Sequence, residues 1–465
     1  MNLSNLSLRA LSLAALAALA GCATFDSGPP PEAAYVVLGE GGAAVARVIT
    51  LGAACPALEL DGRKRGMQVR APRAPIAPRP GMAGQGAPAS TAVLTCEAPI
   101  PAGTVRASVA GADLPLPRSA ASRIVVIGDT GCRLKGRAFQ DCNDAAAFPF
   151  AQVAAAAAAW KPDLVLHVGD YHYREDACPA SRSGCAGSPW GYGWEAWDAD
   201  FFDPARALLR AAPWVMARGN HESCMRAGQG YWRFLDPRPL APGRDCNEQA
   251  NDRVGDYGDP YAVPLGGAAQ LLVFDSSNTS WKGLPAADPR RAIYAEQWRR
   301  MEQLARGASY NIAVTHHPLF AFGAGRHPAT GEVSLFGGDA GLLDAFGPLD
   351  PGYLPKTISM LLSGHIHLWE QVSFASAHPT QFVSGFSGTA EDTTPLPAAV
   401  PPGTTPAPGA VVENMSSWVD GFGYMTMERT GADGWQVLVW DREGRERNRC
   451  IVKGRKSVCE VAQVQ

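Results

Sequence analysis

The sequence is short of charge. Of 465 residues only 18% are Asp, Glu, Lys or Arg, and they nearly cancel, leaving a formal net charge of −3. A surface of that kind does not hold a polyanion, so nucleic acid is not an expected partner. Long apolar runs are missing as well: the stretch from Ala10 to Ala20 near the N-terminus is too short to span a bilayer. Tight C-x-x-C knuckles are absent, which leaves a structural zinc site little to build on, and no internal repeat is visible. Helix-rich composition is lacking too, since 50 glycines and 38 prolines describe a loop-rich chain and not a helical bundle. Loops are where functional side chains concentrate. At this length the chain can carry one large domain and a smaller one around a substantial core.

What is present begins with an export pattern: Arg9 in a polar start, then the short apolar run, giving a signal peptide over 1–21 and a linker over 22–34. The run ends in Leu19-Ala20-Gly21-Cys22, which resembles the lipobox of bacterial lipoproteins. That resemblance implies a lipid on Cys22 that holds the mature chain on a membrane, with Ala23 in place of Asp favouring the outer membrane, facing the periplasm or the cell surface. A simple signal peptide with a chance cysteine is the alternative. Setting Cys22 aside leaves ten cysteines, and an even count in an exported chain argues for disulfides. Sequence neighbours suggest Cys55 with Cys96, Cys132 with Cys142, Cys178 with Cys185, Cys224 with Cys246 and Cys450 with Cys459.

Short β-type runs (44–51, 67–70, 91–96, 105–109) separated by Pro and Gly stretches predict a small β-domain over 35–119. From 120 to 465 the pattern changes to a catalytic α/β domain, with a strand at 123–127, an Ala-rich helix over 143–160 and a strand at 163–168. Further helices are expected near 204–212 and 290–305, and further strands at 214–217, 270–274, 311–315 and 359–362. A Pro-rich loop spans 392–410, uncharged from Thr393 to Gly409, and 423–428 with 434–440 read as antiparallel strands completing a second sheet.

Five segments place metal-ligand side chains directly after apolar strands: Gly128-Asp129-Thr130-Gly131, Gly169-Asp170-Tyr171-His172-Tyr173, Gly219-Asn220-His221-Glu222, Thr315-His316-His317-Pro318 and Gly364-His365-Ile366-His367. Singly each is weak, because Gly-Asp at a strand end is common and a lone His is more often a core residue. Together and in order they offer seven ligands. Two adjacent cations need carboxylates to offset their charge, one of which must bridge, and imidazoles to complete the geometry. Small glycines beside each ligand let the backbone turn and approach.

These five segments resemble the metallophosphoesterase (calcineurin-like) superfamily, and the Tyr173 that follows Asp170 by three residues resembles its purple acid phosphatase branch. The resemblance, over about Arg123 to Glu370, implies a two-sheet αββα sandwich. It also implies a first metal on Asp129, Asp170, Tyr173 and His367, and a second on Asp170, Asn220, His316 and His365. Fe(III) is expected at the first site and Zn, Mn or Fe(II) at the second. His221 matches the family's phosphate-contacting, proton-donating histidine. For the family's second such histidine the nearest match is His327, eleven residues after His316.

The implied reaction is hydrolysis of a small phosphorylated substrate, a monoester, by a metal-bound hydroxide. A phosphodiesterase acting on nucleotides or lipid head groups is the alternative within enzymes, and a catalytically silent binding lipoprotein the alternative outside them. The complete ligand set speaks against the latter, and no obligate protein partner is evident. Other histidines are less defined: His317 is a pocket wall or a structural residue, His172 a substrate contact or a solvated cap, His167 core, and His378 unassigned. The aromatic stretch 190–202 is a substrate wall or, preferably, an insert tied down by Cys178 and Cys185.

Overall fold

The computed structural model describes residues 30–82, 86–87, 90–390, 394–397 and 403–461. The expected signal, Cys22 and parts of the Pro-rich loop lie outside the described residues. Among them, no helix is long and apolar enough to cross a membrane.

Two large sheets are stacked face to face. The first has eleven strands, and at its centre Arg123–Ile127, Leu164–His167 and Trp214–Met216 run parallel. The second has seven, with Ala269–Val273, Tyr310–Val314, Ile358–Ser363 and Thr380–Ser384 in parallel succession. Parallel strands buried on both faces must be apolar throughout, and the runs Arg-Ile-Val-Val-Ile and Leu-Val-Leu-His meet that demand. Alternation sends Ile124, Val126 and Leu166 inward against Leu271, Ile312 and Met360 of the facing sheet.

The opposite faces are covered by helices. Val125, Ile127 and Val165 pack on Phe150–Ala159, whose Val153, Ala154 and Ala157 are small enough to bring it close. On the other side Leu272, Ala313 and Leu361 meet the Pro289–Ala305 helix. This helix starts where Asp288 accepts the Arg290 N–H at 2.9 Å and Pro289 fills the first turn. Its Tyr294, Trp298, Met301 and Ala305 recur at helical spacing along the buried stripe. Each such large apolar side chain contributes about 1.5–3 kcal/mol on burial. The arrangement is the expected αββα sandwich.

Two expectations change. Gly423–Arg429 and Gly434–Asp441 do not complete the second sheet; they extend the first, because Gly423–Arg429 pairs antiparallel with Arg123–Ile127. Their inward residues Met425, Met427, Val437 and Val439 belong to the inter-sheet core. The N-terminal β region is present, with a four-stranded sheet of its own, but Ala33–Leu38 pairs in parallel with Trp214–Met216 and so carries Ala44–Thr50, Leu94–Ile100 and Gln68–Ala71 into the eleven-stranded sheet. Arg47, fully buried, donates to the carbonyls of Phe234 at 2.6 Å and Asp236 at 2.9 Å across that junction.

All five suggested disulfides form: Cys55–Cys96, Cys132–Cys142, Cys178–Cys185, Cys224–Cys246 and Cys450–Cys459. The aromatic stretch is core, with Trp194, Trp197, Phe201 and Phe202 buried beneath the first sheet.

Candidate metal centre

The loops that follow the C-terminal ends of the parallel strands in both sheets meet at one edge of the sandwich, the place where open α/β sheets build their sites. There the side chains form two quartets. In the first, the Tyr173 hydroxyl lies 2.9 Å from Asp129 Oδ1, 2.9 Å from Asp170 Oδ2 and 3.0 Å from His367 Nε2, and His367 Nε2 is 3.3 Å from Asp129 Oδ1. In the second, His316 Nε2 lies 3.1 Å from Asp170 Oδ2 and 3.1 Å from Asn220 Oδ1, and His365 Nδ1 lies 3.1 Å from the same Asn220 oxygen. Asp170 Oδ2 belongs to both. All seven sequence-predicted ligands are therefore brought together across more than 230 residues of chain, from Asp129 to His367.

The local backbone is bent to make this possible. Asp129, Asp170 and His365 adopt φ of 54°, 58° and 72°. That left-handed region is costly for residues with a side chain and clusters at functional sites. Close approach demands glycine at two neighbours. A Cβ on Gly219 would stand 2.1 Å from Asp170 Oδ1, and one on Gly364 would stand 2.5 Å from Asp129 Oδ2.

The surrounding shell fixes each ligand. His316 Nδ1 bonds the Val168 carbonyl at 3.0 Å and His367 Nδ1 the Ala390 carbonyl at 3.1 Å, which leaves both Nε2 atoms to face the centre. The buried Glu222 carboxylate accepts four backbone N–H groups, from Asp170 (3.1 Å), Tyr171 (2.9 Å), His172 (3.2 Å) and Gly219 (3.1 Å). Asp200 likewise accepts from Cys132 N, Tyr173 N and Arg174 N, at 2.9, 2.7 and 3.1 Å. Sequence reasoning missed both. Glu222 sits inside the Gly-Asn-His-Glu segment and had a signal to offer; Asp200 lies in the aromatic stretch and had none.

The donor chemistry fits a pair of cations. The Tyr173 oxygen lies 2.9 Å from a carboxylate oxygen of each of Asp129 and Asp170, and a phenolate and two carboxylates so placed repel unless positive charge sits among them. With protein groups alone, burial and then Asp129 and Asp170 push the Tyr173 phenol well above its ordinary range. Burial would raise Asp170, but His316 and then His221 hold it well below the usual carboxylate value. Burial would lower His316, yet Asp170 lifts it to about 9, whereas burial and His316 press His365 down to about 3. Among carboxylates and imidazoles, Asp129 with Asp170 and His316, and His316 with His317 and His365, form ligand clusters.

The remaining predicted residues separate. His221 is at the centre: its ring stacks 3.7 Å from that of Tyr173, and its Nε2 is 3.9 Å from Asp170 Oδ2. Its Nδ1 faces the His172 carbonyl at 3.0 Å and Glu175 at 2.8 Å. His327 is not brought to this cluster: it stands exposed at the turn between Gly323–Arg326 and Val333–Phe336, where its Nδ1 accepts the Thr330 N–H at 3.2 Å. His317 is buried, its Nδ1 3.0 Å from Ser276 Oγ and its ring 4.3 Å from that of His365, a wall of the second quartet. His172 is fully buried between Tyr192 and Trp197, so it is neither solvated nor a cap. His167 is core, stacked 3.7 Å from Tyr171, and His378 packs among Phe320 and Phe374 with Ser376 Oγ at 2.9 Å.

A family profile described as calcineurin-like phosphoesterase matches residues 122–368. No curated protein matches the chain in sequence. Among solved structures, a purple acid phosphatase isolated from yellow lupin (Lupinus luteus) seeds is similar, with a TM-score of 0.56 at 13% identity over 92% of this chain and 73% of that one. The structure of PhoD is similar with a TM-score of 0.50 at 12% identity, over 93% of this chain and 92% of that one. At such identities the likeness is one of fold.

Proposed function

Because the chain belongs to the calcineurin-like phosphoesterase family and is a metal-dependent phosphoric ester hydrolase, we propose that it is a phosphatase of the purple acid phosphatase type, acting on phosphate monoesters. The observation that carries this reading is the Asp170 Oδ2 atom shared by two quartets, one of which contains a tyrosine hydroxyl. Asp129, Asp170, Tyr173 and His367 would hold one cation, and Asp170, Asn220, His316 and His365 the other. A phenolate favours a hard trivalent ion, so Fe(III) is proposed beside Tyr173 and Zn, Mn or Fe(II) beside Asn220. When bound, such a pair offsets charge on the phosphate and activates water.

The protein's own groups then account for orientation and proton movement. Asn220, His316 and His365 would hold the second cation and thereby set where a phosphate can bind. His221 presents Nε2 because Nδ1 must carry its hydrogen toward the His172 carbonyl and Glu175. Burial first and Arg226 second push this imidazole down to about 3, so at rest Nε2 has a free lone pair. A phosphomonoester has its second ionisation near pH 6 and arrives with a proton in mild acid. That proton can pass to Nε2 and from there to the departing oxygen. His327 is left without a role in this scheme.

We also place the protein outside the cytoplasm, held by a lipid on Cys22. Its five disulfides are compatible with an oxidising compartment, and loss of membrane partitioning in Cys22→Ala checks the anchor. The activity is tested with a panel of mono- and diesters on metal-analysed protein. Monoesters turned over well above diesters support the reading; the reverse order makes the chain a phosphodiesterase, and turnover of neither leaves a binding protein. A visible charge-transfer band that vanishes in Tyr173→Phe checks the Fe(III) assignment independently of activity.

A further inference from the structure

His316 and His317 are consecutive, and in an extended strand their side chains would point to opposite faces. Just past the strand Tyr310–Val314 the chain curls instead. The Thr315 hydroxyl donates to the His317 carbonyl at 2.7 Å, and the His317 N–H donates to Ser276 Oγ at 3.1 Å. Both imidazoles are thereby turned to one side, their ring centroids 5.0 Å apart and their planes at 85°. The His317 ring also lies 4.3 Å from that of His365. One nitrogen from each of His316, His317 and His365 falls within 4.8 Å of the other two. Zinc binds imidazole nitrogen at about 2.0–2.1 Å, so two such nitrogens across one ion stand about 4 Å apart, a spread that small side-chain rotations reach from here.

The polar contacts of His317 suit that part. Its Nδ1 is 3.0 Å from Ser276 Oγ, whereas its Nε2 has no hydrogen-bond partner among the described residues, although the side chain is buried. With its hydrogen on Nδ1, facing the serine, the ring presents a lone pair at Nε2. His316 is set up in the same way: the Val168 carbonyl meets its Nδ1, and its Nε2 stands 3.1 Å from Asn220 Oδ1, the oxygen that His365 Nδ1 also approaches at 3.1 Å.

We propose that His317 Nε2 is a further ligand of the second cation, so that this site presents three imidazoles beside Asn220 and Asp170 and sharpens its choice of Zn over Mn. This rests on the two-metal reading above. Imidazole suits zinc, whereas carboxylate and carbonyl oxygens suit manganese. The first quartet, with two carboxylates, a phenol and a single imidazole, is rich in oxygen. A third imidazole at the second site therefore widens the chemical difference between the two sides of Asp170, and directs a hard trivalent ion to one and a borderline divalent ion to the other.

The test uses the full-length protein loaded with iron and zinc in equal amounts and reads the zinc alone, with no assay of turnover. X-ray absorption at the zinc edge counts the imidazoles around it, and competition with a chelator gives its affinity. The wild type should show three imidazoles, and both His317→Ala and the ring-keeping His317→Phe should show two. In these variants zinc affinity should fall about tenfold or more, the loss that even groups behind a ligand cause, iron content should hold, and the preference for Zn over Mn in direct competition should drop. Two imidazoles in the wild type, or zinc affinity within about twofold of the wild type in a folded variant, would overturn the proposal and leave His317 a wall. Should both variants misfold, the imidazole count of the wild type decides alone. Failure of the two-metal reading looks different, since the wild type would then hold no more than one metal however it is loaded.

Discussion

At the scale of single residues, the seven clustered side chains were legible because they follow apolar strands in short segments, four of which carry a glycine, and the shell around them was not. Asp170 and Tyr173 announce themselves three residues apart; Glu175 and Asp200 act through bonds to backbone or to other side chains, and no spacing rule reveals such partners. His327 shows the opposite failure: a position chosen by distance along the chain lies on an exposed hairpin turn. His221, which does lie at the cluster, is the residue we propose for proton movement. His221→Ala should lower kcat about a hundredfold or more, the usual weight of a general acid or base, with metal content unchanged; full turnover in that variant removes it from the mechanism. A second residue sets a pH dependence of stability. Glu370 is fully buried and, among the described residues, only the Phe322 N–H bonds its carboxyl, so burial holds its pKa well above the ordinary carboxylate range. The protonated form suits the fold: its contribution is complete below the unfolded carboxylate value and is lost as pH rises through the folded one. Melting curves should therefore show Glu370→Gln gaining on the wild type between pH 4 and pH 8, whereas parallel curves would mean that Glu370 is ionised in the folded protein.

At the scale of elements, the parallel strands were readable from unbroken apolar runs, and the helix at Pro289–Ala305 from its cap and its stripe. The Ala-rich helix came out shorter, Phe150–Ala159 in place of 143–160, because residues before Phe150 form turns around the Cys132–Cys142 bridge. The assignment of Gly423–Arg429 to the second sheet failed for a different reason: strand pairing is a long-range choice, and alternating apolar residues fit the inward face of either sheet. The loops that carry ligands depend on backbone approaches that only glycine allows. Gly219→Ala would force its Cβ against Asp170 Oδ1 at 2.1 Å and against Asp170 N at 2.3 Å. We expect the variant to retain no more than one metal per chain and to melt at a lower temperature; two metals and an unaltered melt would show that the loop yields at little cost.

At the scale of the whole molecule, composition distinguished a loop-rich protein from a bundle and the succession of strand and helix patterns gave the α/β class, but the relation between the N-terminal β region and the rest was hidden, since a sequence does not show which sheet edge a strand will join. The two parts share one sheet through Ala33–Leu38 and Trp214–Met216. Buried Arg47 and Arg70 reach across to the carbonyls of Phe234, Asp236 and Trp232, and charged hydrogen bonds of this kind contribute about 1.5–3 kcal/mol each. A chain reduced to residues 120–465 should therefore aggregate on expression, and a soluble, active product would restore the picture of two independent domains. The central claim, that two cations share Asp170 and that phosphate-ester hydrolysis depends on them, is tested most directly by metal analysis and phosphatase assay of the same preparations of wild type and Asp170→Asn. The account predicts about two metals per chain with activity in the wild type, and at most one metal with activity lost in Asp170→Asn; two metals and unaltered turnover in Asp170→Asn would contradict it.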